Sequence, residues 1–344
     1  MVGPFMLAPM AELTHRALRE LIHGFGGCDY YFTEMISAGA LLGGGPFEAW
    51  YLDQGPCPEK LVYQLVGHDA EQLAGAAALL DRRECAGIDI NMGCSAPALR
   101  RIGAGVAWMT SIDKAGNLMD RVRKMTKRRL SVKLRLGFED NFEYLAAFCR
   151  RLEQAGTELI ILHPRTAREK FKRLARWDYV DALRRELRIP VAGNGDIASA
   201  EELARRVFRD TAPDGPRAGS YGGIMVGRAA VRQPWIFARA RRAGAESGVR
   251  LAPGQVSGQA QEQVPAETLS KPNGAFLEET GLRFLELLSR YQPPEFHLSR
   301  ARRFFGFFCD NLKWGNYLKT KINRGEDLAG IGRIWAAYFT EQAG

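Results

Sequence analysis

No CxxC pair, no cluster of histidines and no apolar run approaching the length of a membrane span occurs in this chain of 344 residues. Its six cysteines, at positions 28, 57, 85, 94, 149 and 309, are scattered, which argues against both a structural zinc site and a disulfide framework. A dinucleotide fingerprint is missing as well. Gly24-Phe-Gly-Gly27 and Gly103-Ala-Gly105 lack the GxGxxG spacing and do not follow the first strand, so a nicotinamide held in Rossmann fashion is not expected. The N-terminus has only a short apolar patch with no basic residues before it, which makes a cytoplasmic location the default expectation. A monomer, with neither membrane nor metal as a partner, is the corresponding default.

What the chain does have is enough apolar content for a large core, 46% of residues, and an uneven charge. Residues 1–99 sum to −7, residues 100–188 to +11, residues 189–274 to +3 and residues 275–344 to +2. The second segment exceeds the whole net charge of +9, as a basic face that meets a polyanion would require; a solvated arginine-rich surface is the alternative.

Short apolar runs recur at intervals with helical patterns between most of them. The strands expected are 5–8, 30–33, 61–66, 88–91, 131–136, 159–163, 190–193 and 223–226. Eight strands alternating with helices over some 240 residues match a (β/α)8 TIM barrel in count and length, with a doubly wound sheet as the alternative. Residues 245–274 turn to Gly, Gln, Pro, Ser and Glu and read as a linker or mobile loop. Helical patterns resume beyond it at 275–291, 298–312, 317–323 and 331–339. The expected organisation is therefore a barrel over 1–244, a linker over 245–274 and a small C-terminal helical domain over 275–344.

Each expected strand ends in polar or glycine residues, where α/β barrels build active sites. Ile88-Asp-Ile-Asn-Met-Gly-Cys94 is the most telling, because it places a thiol just past a strand. The other ends carry Pro9 and Met10, Thr33-Glu34-Met35, Gln64, Lys133 and Arg135, His163-Pro-Arg165-Thr166, Gly193-Asn-Gly-Asp196 and Gly227-Arg228. Two glycine-bearing loops on the seventh and eighth strand ends, with Arg228 beside them, suit a phosphate group, with simple turns as the alternative reading of the glycines. Arg165, Arg168, Lys170, Lys172, Arg173 and Arg176 form a basic cluster after the sixth strand. Phe304, Phe305, Phe307 and Phe308 in the tail are spaced as a helical core stripe, with base stacking as the less favoured reading.

In order along the chain, Ala8-Pro-Met-Ala, Thr33-Glu-Met-Ile-Ser37, Asp89-Ile-Asn-Met-Gly-Cys94, Gly103-Ala-Gly105, Lys133-Leu-Arg135, His163-Pro-Arg-Thr166 and Gly193-Asn-Gly-Asp196 resemble the tRNA-dihydrouridine synthases. Arg302-Arg303 and Lys319-Thr-Lys-Ile-Asn323 extend the likeness weakly into that family's helical domain. The resemblance implies FMN across the barrel mouth, NADPH as reductant, and reduction of the C5=C6 bond of particular uridines in tRNA. By it, Cys94 is the general acid, for which a neutral thiol is apt. Pro9, Met10, Gln64, Lys133 and His163 contact the flavin, and Asn194, Gly195, Asp196, Gly227 and Arg228 its phosphate. Asn91 and Arg135 contact the uracil, and Arg165, Arg168, Lys170 and Lys172 the RNA. A lysine near the flavin ring stabilises its anionic reduced form.

Four positions depart from the family pattern. Ser95 stands where proline usually follows the cysteine, Ala98 where lysine is common, Phe171 in place of a tyrosine that holds the uridine, and His15 in place of an aspartate. These changes are expected to alter the substrate side and spare the flavin side. They keep two further readings open: a related FMN enzyme acting on another RNA or a small molecule, and a non-catalytic RNA-binding protein on the same scaffold.

Overall fold

The computed structural model describes residues 4–209, 221–246, 269 and 271–343. Eight parallel strands, β1 (Phe5–Leu7), β2 (Tyr30–Ser37), β3 (Leu61–Val66), β4 (Gly87–Met92), β5 (Arg129–Leu134), β6 (Leu159–Leu162), β7 (Val191–Asn194) and β8 (Tyr221–Val226), pair in sequence order. The barrel closes where Phe5 and Leu7 pair with Ile224 and Val226, which excludes the open doubly wound sheet. Helices such as Ala70–Asp81, Ile112–Met125 and Phe142–Gln154 fill the returns. Each begins on a side-chain cap: Asp69, Ser111 and Asn141 accept from the backbone N–H groups of Gln72, Lys114 and Tyr144.

The inside of the barrel is divided by chemistry. Met6, Ala8, Phe32, Val62, Leu159, Ile161, Ala192 and Met225 form an apolar plug. Strand register carries the same inward parity through Gln64, Asp89 and Ser131, with Asp89 the neighbour of both others, and one step higher through Asn91 and Lys133. The polar half therefore lies on β3, β4 and β5, towards their C-terminal ends.

Two strands, β2 and β5, have C-terminal ends more than one residue from the sequence expectation. β2 continues four residues past Thr33, because an irregularity between Phe32 and Met35 resets the register and the buried Glu34 is neutralised by Arg300. β5 stops at Leu134, so Arg135 sits just beyond the sheet.

The C-terminal region is helical, with helices Gly274–Tyr291, Pro294–Phe308, Gly315–Asn323 and Leu328–Ala343. The second begins four residues earlier than its apolar pattern implies, since Pro294 fits the first turn, where a missing N–H costs nothing. Phe304, Phe305 and Phe308 are fully buried, with Phe284 stacked on Phe304 at 3.7 Å between centroids and Trp335 against Phe305 at 4.8 Å. Three of the four phenylalanines form the core stripe that their spacing indicated, and Phe307 packs half-buried against it. Against the barrel, Phe276 packs on Phe25 and Trp235, and Asn311 donates to the Arg232 carbonyl at 2.6 Å. Most of the linker expected over 245–274 lies outside the described residues.

Candidate active site

Cys94 is the one cysteine of the six that is not buried, and it sits just past β4 at the mouth of the barrel. Its peptide is gripped on both sides. The Asn91 Oδ1 accepts from the N–H groups of Gly93 and Cys94 at 3.1 and 2.9 Å, and the Cys94 carbonyl accepts from the Val106 N–H at 3.0 Å. Gly105, at φ +61°, lies so close to this carbonyl that an added Cβ would stand 2.5 Å from the oxygen. Only glycine fits there, which gives the Gly103-Ala-Gly105 motif a mechanical role in shaping the thiol loop. Arg135 closes the same loop from β5, its Nε donating to the Gly93 carbonyl at 3.1 Å and its Nη1 to that of Lys170 at 3.2 Å.

Beneath the thiol runs a chain of buried polar groups that the sequence reading had only in part. Asp89 accepts from the Ser131 hydroxyl at 2.6 Å and from Gln64 Nε2 at 2.7 Å, and Gln64 Oε1 accepts from Asn91 Nδ2 at 2.9 Å. Burial raises the Asp89 carboxyl to about 6, held from rising further by the Ser131 and Gln64 hydrogen bonds and by Lys133. Lys133 is brought down to about 8, chiefly by burial and then by Arg135, while Asp89 and Cys94 oppose the fall. It remains a cation at neutral pH, and its ammonium has no hydrogen-bond partner among the described residues.

Across the mouth, loops six and seven are tied together. Arg165 pairs with Asp196, which also accepts from the Ala175 N–H at 2.6 Å, and Trp177 Nε1 donates to the Gly195 carbonyl at 3.1 Å. Arg165 Nη1 lies 2.8 Å from His163 Nε2. Because a guanidinium only donates, this nitrogen is the acceptor and the imidazole proton sits on Nδ1. Burial, reinforced by Lys133, Arg135, Arg165 and Arg228, holds His163 neutral well below its ordinary range. Asn194 bridges to β8 by donating to the Met225 carbonyl at 2.8 Å, and the Gly227 Cα faces Met10, whose sulfur would lie 3.6 Å from an added Cβ. Pro9 and Met10 are half-buried on this rim. Arg228 is exposed, its guanidinium 4.3 Å from the centre of the Phe171 ring.

The basic cluster divides in two. Arg165 is buried with Asp196, and Arg176 bridges Glu169 and Asp140, with Arg173 3.9 Å from Glu169. Arg168, Lys170 and Lys172 are exposed and have no ion-pair partner among the described residues. Of the departures, Ser95, Ala98 and the exposed Phe171 lie at the mouth. His15 does not: it is buried at the seam between barrel and tail, 6.1 Å from the Phe284 ring. It therefore belongs to the docking of the helical region, since it immediately precedes helix Arg16–Gly24 and its ring faces Phe284 of helix Gly274–Tyr291.

Among the described residues no group of three or more potential metal ligands converges, and no helix is long and apolar enough to cross a membrane. The family model "Dihydrouridine synthase (Dus)" matches residues 6–263. A probable tRNA-dihydrouridine synthase of Aquifex aeolicus is 36% identical over 246 residues, 68% of this chain and 72% of the relative. A tRNA-dihydrouridine synthase B of Shewanella oneidensis is 30% identical over 355 aligned positions, covering 99% of this chain and 98% of the relative. With a family model across three quarters of its length, relatives of this similarity and a thiol at the mouth of a (β/α)8 barrel, the chain belongs to the dihydrouridine synthase family of enzymes.

Proposed function

We propose that this enzyme reduces the C5=C6 bond of particular uridines in tRNA, with FMN as its flavin, NADPH as the source of electrons and Cys94 as the proton donor. The observation that carries the reading is the half-exposed Cys94 held rigidly at the barrel mouth beside the unspent Lys133 ammonium. The residues present fit a flavin mononucleotide. Lys133 is a cation with free donors for an anionic ring, and Arg228 is exposed with no ion-pair partner among the described residues, as a phosphate site needs. Pro9, Met10, Gln64 and His163 would flank the ring, and Asn194, Gly195, Asp196, Gly227 and Arg228 would receive the phosphate. When bound, the flavin supplies hydride to C6 of the uracil.

The chain's own residues do the rest. Cys94 gives its proton to C5 as negative charge builds there, and the thiolate is reprotonated from solvent at the open mouth. Arg135 and the second amide hydrogen of Asn91, which is not needed for Gln64, can meet the uracil carbonyls. Phe171 offers a ring face flanked by Arg135 and Arg228 where the family has a phenol, so it holds a base by stacking and not by a hydroxyl. Arg168, Lys170 and Lys172 supply phosphate contacts, and residues 275–344 act as a second, RNA-binding domain joined to the catalytic domain at 1–244. Such chemistry belongs in the cytoplasm, where tRNA is modified.

The test is nucleoside analysis by mass spectrometry of unmodified tRNA transcripts incubated with the protein, FMN and NADPH. Dihydrouridine at a defined position is the expected result. Protein that retains flavin yet makes none would shift the reading to a related flavoenzyme with another substrate, and protein that binds RNA but no flavin to a non-catalytic scaffold.

A further inference from the structure

The chain of hydrogen bonds under the thiol has a direction, fixed by the acceptor Asp89 at one end and by the Gly93 and Cys94 N–H donors at the other. Asp89 is fully buried and, as a carboxylate, can only accept. Gln64 must therefore turn its NH2 towards Asp89, which leaves its oxygen for Asn91. Asn91 must in turn present its NH2 to Gln64, which points its own oxygen at the Gly93 and Cys94 N–H groups. Either amide could be flipped at little cost in isolation; together they have one arrangement that leaves no donor facing a donor. The main chain cannot absorb a change, since the Gln64 N–H is held by Thr33 Oγ1 at 3.0 Å and the Gly93 carbonyl by Arg135.

Resting on the reading of Cys94 as proton donor, we propose that Asp89 is a positioning residue for that thiol, acting through the side-chain amides of Gln64 and Asn91. A buried carboxylate that served only to fill the barrel would cost stability for no gain, whereas an apolar residue would continue the plug below it. The chain ends on the peptide that carries the thiol, and the carboxylate lies three links away. Asp89 does not touch substrate or cofactor in this account; it fixes where Cys94 stands.

Substitutions separate direction from bulk. Asp89→Asn can still show its oxygen to Gln64 while its NH2 donates to the Ser131 hydroxyl, so turnover should stay within about threefold of the parent. Asp89→Leu releases both amides, and kcat at saturating tRNA should fall by about ten- to a hundredfold with KM for tRNA nearly unchanged. Asn91→Asp alone sets an acceptor against Gln64 Oε1 and should alter the rate of Cys94 alkylation by iodoacetamide by about tenfold. Asp89→Asn combined with Asn91→Asp reverses the two links through Gln64, while the carboxylate at 91 still accepts from the Gly93 and Cys94 N–H groups, and should bring that rate back to within about threefold.

Alkylation of Cys94 is read without flavin, tRNA or turnover, so it tests the chain even if the parent protein makes no dihydrouridine. A silent parent would overturn the functional reading and leave this one to the alkylation rates. If the double variant alkylates no more like the parent than Asn91→Asp does, or if Asp89→Asn is as impaired as Asp89→Leu, Asp89 does not set the position of the thiol. Should Asp89→Leu fail to fold, the comparison of Asn91→Asp with the double variant decides.

Discussion

Two clusters of buried polar residues hold this molecule together, and they are built differently. At the mouth, Asp89, Gln64, Asn91 and Ser131 are linked in sequence, each end of each side chain meeting a partner. At the seam between barrel and tail, His15, Arg19, Glu34 and Arg300 are packed as deeply but incompletely joined. Glu34 accepts from Arg300 at 3.0 Å and from the Glu12 N–H at 2.6 Å, yet both His15 ring nitrogens, Arg19 Nε and Arg300 Nη1 have no hydrogen-bond partner among the described residues. A fully satisfied network fixes positions, whereas a partly satisfied one places its weight on the contacts that are made, here the Glu34–Arg300 pair and the Arg19 donations to the Thr14 and Asp53 carbonyls. The mouth is built for placement of a thiol; the seam cluster has one ion-pair latch, Glu34 on Arg300, beside the main-chain ties of Arg19.

The largest effect should come from the group that the mouth cluster places. Cys94→Ala is expected to lower product formation by about 10²–10⁴-fold while flavin content, NADPH oxidation and the urea midpoint stay at parental values. Dihydrouridine formed at the parental rate would end the acid role of Cys94. Next comes the latch. Glu34→Ala leaves Arg300 buried without its carboxylate, and Arg19 with Asp53 but not Glu34, and should cost about 3–5 kcal/mol in urea unfolding. A loss below about 1 kcal/mol would mean that the seam does not depend on this pair.

Acid should separate the clusters by sign. Burial, Arg300 and Arg19 hold His15 well below its usual 6.5, so the folded protein refuses a proton that the unfolded chain accepts. Its contribution is absent above that pH and becomes destabilising as pH falls below about 6.5, by up to about 1.4 kcal/mol per pH unit. Asp89 runs the other way. Its folded value of about 6 lies above the ordinary carboxyl value, so its stabilising share is full below the unfolded value of 3.8 and lost as pH rises through 6. Between about pH 4 and 6 the two oppose each other. His15→Gln should therefore hold its stability better than the parent on acidification, and Asp89→Asn should lose stability more steeply. Parallel curves for all three would show that neither group titrates as its surroundings dictate.

How much of this could be read along the chain depends on range. The strand ends, the barrel and Cys94 are local patterns, set by alternation and by a cysteine after Ile88-Asp-Ile-Asn. Asp89 was visible as part of that motif but not as a determinant, because Gln64 and Ser131 are 25 and 42 residues away and meet it only through strand register. His15 reads as a change on the substrate side because it stands where the resembling family has an aspartate. It is the turn into helix Arg16–Gly24 that carries it to the seam, against a phenylalanine 269 residues later in sequence at position 284. Arg165 falls within a run of basic residues, yet the residue two positions after His163 turns inward to Asp196. Proximity in sequence grouped residues that the strand end then divided.

That division yields the smallest and most specific expectation. Of the basic residues after β6, Arg165 and Arg176 spend their charge on Asp196, Glu169 and Asp140, and the Arg176 contact draws the Glu169 carboxyl down to about 2. Arg168, Lys170 and Lys172 are exposed on the same loop without such partners. Each phosphate neutralised releases counterions, so losing one contact should lower the slope of log affinity against log salt by about 0.7–0.9. Charge reversal at Arg168, Lys170 and Lys172 should thus flatten the slope for tRNA by about two units and leave the unfolding midpoint unmoved. Arg176→Glu should do the opposite, lowering the midpoint by setting a third carboxylate against Glu169 and Asp140 while changing the slope little. Filter binding over a salt series reads the first quantity and urea unfolding the second. If Arg176→Glu flattens the slope as much as the triple reversal, the loop meets RNA as one surface and the division drawn from its ion pairs does not govern binding.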